Sequence, residues 1–381
     1  MGNIINYIEE NLDTFEERNL NDVDSLIFSQ LSYLFFDEII PSLADGFKTI
    51  KIKELIKLEY FDEIFSDLRY VELNKQLLFN MAASPRFRDV EVMFYANEIS
   101  YDEEKQFSAM TFLLSEKIAY VAFRGTDNTF LGWKEDFNMA FMTPVPSQEQ
   151  ARKYLNKVTS IISHKIYVGG HSKGGNLAVY SAMKSYEDVK DRIIAIFNHD
   201  GPGFIRSIVE GYEYNSICQK ISKTVPVESV VGMVLESKEK YIVVKSNGFG
   251  ILQHDPYSWE IGNVDFETSD DLSKAAKIQK NALSDWINAL DEERKMDFVN
   301  TLFSVIDAMD SKLVIDFSST WQSELLAIIN ATRNLDSESR KILFDTIRLL
   351  ISKYFQSLSS NSFLTLNKKN IIRDIKSLNN K

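Results

Sequence analysis

The chain has one cysteine, Cys218, and four histidines in 381 residues, and no glycine or proline lies beyond residue 262. A single thiol excludes an internal disulfide and suits a reducing compartment. No apolar run reaches the roughly 18 uninterrupted residues that a membrane-spanning helix needs. Basic residues are in the minority: 43 Lys and Arg face 55 Asp and Glu, a formal charge of −12. That balance argues against nucleic-acid binding, which needs a positive field along its footprint. Residues 1–13 are acidic and polar rather than basic and then apolar, so no secretory signal is expected. The histidines are scattered and nothing has zinc spacing, so neither a metal nor another cofactor is expected. The expectation is a soluble, cytoplasmic protein, and its 44% hydrophobic and 12% aromatic content is enough for a large core.

Glycine and proline also divide the chain. All 15 glycines and all 7 prolines fall within residues 1–262. Turns and crossovers use these residues, whereas helix interiors exclude them. An α/β domain with N-terminal helices is therefore expected over residues 1–265, and an all-helical extension over 266–381. In the extension, Trp286 and Leu290, then Phe298, Leu302, Ile306 and Met309, then Phe344, Ile347, Ile351 and Tyr354, recur at helical spacing; three to five helices are predicted there. Earlier, Asp22–Ile40 reads as an amphipathic helix stopped by Pro41, and 52–82 also reads as helical. Strands are predicted at 90–97, 107–114, 118–124, 193–198 and 241–245, with a helix at 148–163. Antiparallel strands followed by alternating strand and helix give a mixed, centrally parallel sheet covered on both faces.

The most informative segment is Ile166-Tyr-Val-Gly-Gly-His-Ser-Lys-Gly-Gly-Asn176. A short apolar strand breaks into glycine-flanked Ser172, and a helix-like run follows. Gly170, Ser172 and Gly174 fit the G-x-S-x-G nucleophile elbow, in which a strand reverses sharply into a helix with serine at the apex. A side chain two residues to either side would collide with neighbouring backbone, and glycine removes the collision. A phosphate-binding loop ends in Gly-Lys-Ser/Thr, whereas Ser172-Lys173-Gly174 has the opposite order.

A serine needs a base, and the base needs a carboxylate to orient it. His171 adjoins the serine and is expected to point away from the apex as a packing residue. His164 reads as a surface residue, and His199 should face opposite to Asp200. His254, in Leu252-Gln253-His254-Asp255-Pro256 after the last predicted strand, is the candidate base. The acid should fall between serine and histidine in the chain. Asp200, at a strand end before Gly201-Pro202-Gly203, is the favoured acid and Glu228 the alternative; a turn role for Asp200 is its plain alternative. An oxyanion hole needs two donors. The backbone N–H of Lys173 is one, and a strand ending in Arg124-Gly125-Thr126 offers the other at Thr126.

Val121-Ala-Phe-Arg-Gly-Thr126, then Trp133 and Asp136, then the 170–175 elbow, resemble the corresponding segments of class 3 (fungal-type) lipases. Gly-His-Ser-Lys-Gly-Gly-Asn, Asp-Gly-Pro-Gly-Phe and Gln-His-Asp-Pro are similar to a bacterial family of α/β-hydrolase-like proteins. The resemblance covers residues 20–262. It implies an α/β-hydrolase fold, a nucleophile at Ser172 and an oxyanion donor at Thr126. Two positions depart from the lipase pattern: Lys173 stands where lipases have an apolar residue, and Lys223–Glu228 has no Asp where the lipase acid falls.

The expected function is a serine hydrolase that cleaves carboxylic esters or thioesters, lipid acyl esters among them, through an acyl-enzyme. Phe130, Trp133, Phe137, Phe141 and Met142 could line an acyl pocket or belong to the core. The alternative is a non-catalytic protein that keeps the hydrolase scaffold and binds a partner through its helical extension. The basic end, Lys368–Lys381, allows a weak contact with an anionic surface.

Overall fold

A computed structural model of the chain describes residues 2–66, 68–127, 130–139, 142–307, 332 and 335–360. The chain divides into two compact units, Met1–Leu272 and Ser273–Lys381.

The first unit is built on one mixed sheet of nine strands that lie in chain order. Strands β1 (Ile50–Lys51), β2 (Glu91–Ser100), β3 (Lys105–Ser115) and β4 (Ile118–Phe123) pair antiparallel. From β4 the sheet turns parallel through β5 (Lys165–His171), β6 (Ile193–His199), β7 (Ile221–Pro226) and β8 (Tyr241–Val244). The short β9 (Thr268–Ser269) closes it antiparallel. Strand β4 shows why the sheet is buried on both sides. Tyr120 and Ala122 join the core on one face, and Ala119, Val121 and Phe123 join the core on the other. A strand covered twice needs an apolar run rather than an alternation, and Ile118–Phe123 is such a run.

Register brings the ends of the parallel strands together. Phe123 pairs with Gly170, His171 with His199, and His199 with Thr224. The residues that follow these positions leave the sheet side by side at its carboxyl edge, where open α/β sheets place their ligands.

Helices α1 (Ile4–Glu10), α2 (Asp22–Leu31) and α3 (Val71–Ala83) precede the main strands. Helix α2 starts at a reciprocal cap in which Asn21 Oδ1 accepts from the Asp24 N–H at 2.9 Å and Asp24 Oδ2 accepts from the Asn21 N–H at 3.0 Å. It ends at Leu31 rather than Ile40. The N–H groups of Tyr33 and Leu34 tighten into bonds to Gln30 and Leu31, and that of Phe35 bonds to the distant Ile64 carbonyl. Nor is it amphipathic, because every residue from Val23 to Leu31 is buried. Only the last part of the 52–82 stretch is a long helix; before α3 there are short turns. Strand β7 was not expected. Its Lys223 and Thr224 are polar and yet buried, so nothing in the pattern marks a strand.

Helices α4 (Phe130–Met139), α5 (Pro146–Ile161) and α6 (Lys173–Lys184) flank the central strands. In the second unit the described helices are α7 (Lys274–Asn288), α8 (Glu292–Asp307) and α9 (Ser337–Ser360). Trp286 stacks edge-on against Phe298 with ring centres 5.6 Å apart, and its indole N–H donates to the Thr346 carbonyl at 3.0 Å. The stripe expected at Phe344, Ile347, Ile351 and Tyr354 is displaced. Phe344 and Tyr354 are exposed, while Leu343 and Thr346 are buried. Met309 and the basic end at 368–381 lie outside the described residues. No helix among the described residues is long and apolar enough to cross a membrane.

Candidate active site

Ser172 occupies the turn between β5 and α6 with φ 58° and ψ −132°, a conformation that L-residues avoid. The turn is held because the Ser172 N–H donates to the His199 carbonyl at 2.9 Å and the Gly175 N–H donates to the Ser172 carbonyl at 2.9 Å. Both flanking glycines are sterically required. A Cβ on Gly170 would stand 2.3 Å from the Gly174 carbonyl carbon, and one on Gly174 would stand 2.1 Å from the Phe123 carbonyl oxygen.

Asp200 leaves β6 beside Ser172, since their preceding residues His199 and His171 are register partners. It too has a positive φ, 51°. Its Oδ2 lies 2.6 Å from His254 Nδ1. Its Oδ1 accepts from the Ser229 hydroxyl and from the Gly232 N–H at 3.1 Å. A carboxylate only accepts, so Nδ1 carries the ring proton and Nε2 keeps its lone pair, with no hydrogen-bond partner among the described residues. Asp200 is fully buried, whereas the His254 side chain is 23% exposed. No hydrogen bond joins Ser172 Oγ to the His254 ring among the described residues; this contact is often long before substrate binds. Glu228 is engaged elsewhere: its Oε2 accepts from the Gly250 N–H at 2.6 Å and from Gln253 at 3.4 Å, which ties down the turn before His254.

His199 is a core residue. Its Nε2 meets Ser25 Oγ at 2.9 Å and its Nδ1 meets Thr224 Oγ1 at 2.7 Å, and burial lowers its pKa to about 3. His171 is more than packing. Its Nε2–H donates to the His254 carbonyl at 2.9 Å, which makes Nδ1 the acceptor of the Tyr33 hydroxyl at 3.0 Å. Burial holds this imidazole well below its usual pKa, and protonation of the neighbouring His254 ring would act in the same direction. The His171 and His254 rings lie 4.6 Å apart. Sequence reasoning missed this contact because nothing local links residues 33, 171 and 254.

Thr126 follows β4, and its hydroxyl donates to Asp136 Oδ2 on α4 at 2.6 Å. Burial pushes the Asp136 carboxyl up to about 6, while the Lys173 charge pulls it the other way. Lys173 is itself buried. Its Nζ donates to the Gln106 carbonyl and to Gln106 Oε1, each at 2.9 Å, and to Glu135 Oε2 at 3.0 Å. Glu135 was not singled out by sequence. Of the aromatic stretch proposed as a pocket, Phe141 lies outside the described residues, and Met142 is exposed. No cluster of three or more His, Cys, Asp or Glu side chains suited to a metal occurs among the described residues.

The fold and this edge define a mixed α/β protein that carries a serine at a strained strand-to-helix turn, with a hydrogen-bonded Asp–His pair, its Asp buried, at the same edge. The Mbeg1-like family matches residues 81–304, more than half of the chain, and the chain belongs to that family. No curated protein matches it. Among solved structures it is similar to a fungal lipase–inhibitor complex presented as a model for interfacial activation in lipases, at 16% identity and TM-score 0.34, over 61% of this chain and 95% of that one. It is also similar to the Rhizomucor miehei lipase propeptide complex, at 15% identity and TM-score 0.33, over 61% and 78%. A third is lipase II from Rhizopus niveus, at 22% identity and TM-score 0.32, over 47% and 74%. Overlaps this loose carry no argument about the chemistry of this chain, which has to come from its own residues.

Proposed function

We propose that the chain is a serine hydrolase that cleaves carboxylic esters or thioesters, lipid acyl esters among them, with Ser172 as nucleophile, His254 as general base and Asp200 as the orienting acid. The observation that carries this reading is the Asp200–His254 hydrogen bond of 2.6 Å at the sheet edge that also holds Ser172. It fixes the tautomer in which Nε2 can take a proton. In the first half-reaction Ser172 Oγ attacks the carbonyl carbon as its proton passes to His254 Nε2. The negative charge on the former carbonyl oxygen is met by the backbone N–H groups of Lys173 and Thr126. Collapse breaks the bond to the alcohol or thiol, which leaves with the proton from His254, and the acyl group stays on Ser172. Water then repeats the sequence: His254 takes its proton, its oxygen attacks the acyl carbon, and the acid and free Ser172 are released. Glu228 is set aside as the acid because its Oε2 is committed to Gly250 and Gln253.

The test is hydrolysis of p-nitrophenyl butyrate by wild type and Ser172→Ala. Turnover by wild type that disappears in the variant supports the reading. Equal rates with folded proteins would overturn it and favour a non-catalytic protein that acts through its helical extension.

A further inference from the structure

Lys173 follows the serine directly, yet its side chain is buried in the protein rather than presented to solvent. All three ammonium protons are spoken for within the protein: the Gln106 carbonyl, Gln106 Oε1 and Glu135 Oε2. Glu135 is equally committed. Its Oε2 also accepts from the Gln106 N–H at 3.2 Å, and its Oε1 accepts from the Ser147 N–H at 2.9 Å. Both side chains are essentially without solvent contact, 1% for Lys173 and 0% for Glu135. One residue further along α4, Asp136 holds the Thr126 hydroxyl. Two neighbouring residues of one helix therefore grip two separate segments. Glu135 holds the elbow through Lys173, and Asp136 holds the strand-end loop through Thr126.

We propose that Lys173 is a positioning residue, and that its buried pair with Glu135, together with the Thr126–Asp136 bond, sets the spacing between the two oxyanion donors. This inference rests on the hydrolase reading above. Three physical points support it. The two donors belong to segments 47 residues apart (126 and 173), so some tertiary element has to fix their separation. A misplacement of about 1 Å at a reacting centre can cost on the order of 100-fold in rate. Finally, a well-packed apolar pair is often as stabilising as a buried ion pair, so stability alone does not explain this one. A lysine whose protons are all taken up inside the protein also differs from a substrate-binding lysine, which would keep a donor free toward the ligand.

The experiment removes the charges together, because removal of one alone strands the other in the core. The double variant Lys173→Met/Glu135→Met is compared with wild type for thermal midpoint, kcat and KM on p-nitrophenyl butyrate, and each is then combined with Thr126→Ala. The expected result is a folded protein with kcat lowered roughly 10- to 100-fold and KM little changed. Thr126→Ala should also cost less in this background than in wild type, because the spacing it serves is already lost. A folded double variant with wild-type kcat would overturn the inference, and so would Thr126→Ala effects that multiply independently. If the Met pair does not fold, Lys173→Gln/Glu135→Gln keeps the hydrogen bonding and is read by the same criteria. Wild-type protein with no turnover would instead sink the hydrolase reading, and the inference with it.

Discussion

Replacing Asp200 by Asn separates the orienting role of this residue from its place in the core. The substitution changes one atom of a fully buried side chain. Asn is also among the few residues that tolerate a positive φ, and Asp200 has φ 51°. The Asn oxygen can still accept from Ser229 and the Gly232 N–H. What changes is the group that faces His254 Nδ1: an NH2 donor replaces an acceptor, so the ring proton moves to Nε2 and the base is blocked. Asn also removes the charge that stabilises the imidazolium formed on proton transfer. At the observed 2.6 Å and an effective dielectric constant of about 20, that attraction is about 6 kcal/mol. In a serine protease the equivalent change lowers kcat about 10,000-fold, which corresponds to about 5.4 kcal/mol, so the two routes agree. The expected result for Asp200→Asn is a thermal midpoint near wild type and kcat on p-nitrophenyl butyrate reduced by about three to four orders of magnitude. A folded Asp200→Asn protein within tenfold of wild type would refute the assignment of the acid.

Three further outcomes follow from the same geometry. His171→Phe removes the side-chain partner of the His254 carbonyl and of the Tyr33 hydroxyl; denaturant titration should show a loss of about 1–3 kcal/mol, and kcat should fall roughly tenfold as the base loop loosens. A Cβ at Gly174 meets the Phe123 carbonyl at 2.1 Å, so Gly174→Ala should lower stability by about 3 kcal/mol or prevent folding; a wild-type thermal midpoint would contradict the tight elbow. The third outcome concerns pH. His199 has a folded pKa of about 3 against an ordinary 6.5, so the unfolded chain takes up its proton first as pH falls. Its contribution to stability is full above pH 6.5 and is lost progressively toward pH 3, on the order of 5 kcal/mol. His171 acts in the same direction, and the raised carboxyls of Asp136 and Asp255 act in the opposite one. Comparison of wild type with His199→Gln isolates the term: the variant should lose less stability between pH 6.5 and pH 3, and parallel curves would contradict it.

The elbow was legible because its chemistry is local. A serine at positive φ between two glycines writes itself into five consecutive residues, and the strand before it and helix after it carry ordinary apolar patterns. The proposal of His254 as base comes from elimination among four histidines, and the structure places its ring against Asp200. Its place at a strand end favours Asp200 over Glu228, but the engagement of Glu228 was not legible, because it depends on where the 248–254 turn folds back to meet its carboxylate. Strand β7 escaped notice because buried Lys223 and Thr224 break the apolar pattern. The helix expected over Asp22–Ile40 stops at Leu31 because the chain beyond it is held by a bond from Phe35 to distant Ile64, which no local signal encodes. The Glu135 clamp was hidden for the same reason: its three partner atoms come from β3, the start of α5 and the start of α6.

The central claim is that Ser172 is an activated nucleophile. It is tested most directly by incubating folded protein with a fluorophosphonate and locating the adduct by peptide mass spectrometry. The account predicts one phosphonylated peptide, the one that contains Ser172, and no adduct in Ser172→Ala. An unlabelled, folded wild-type protein, or an adduct on another residue that survives Ser172→Ala, would contradict it.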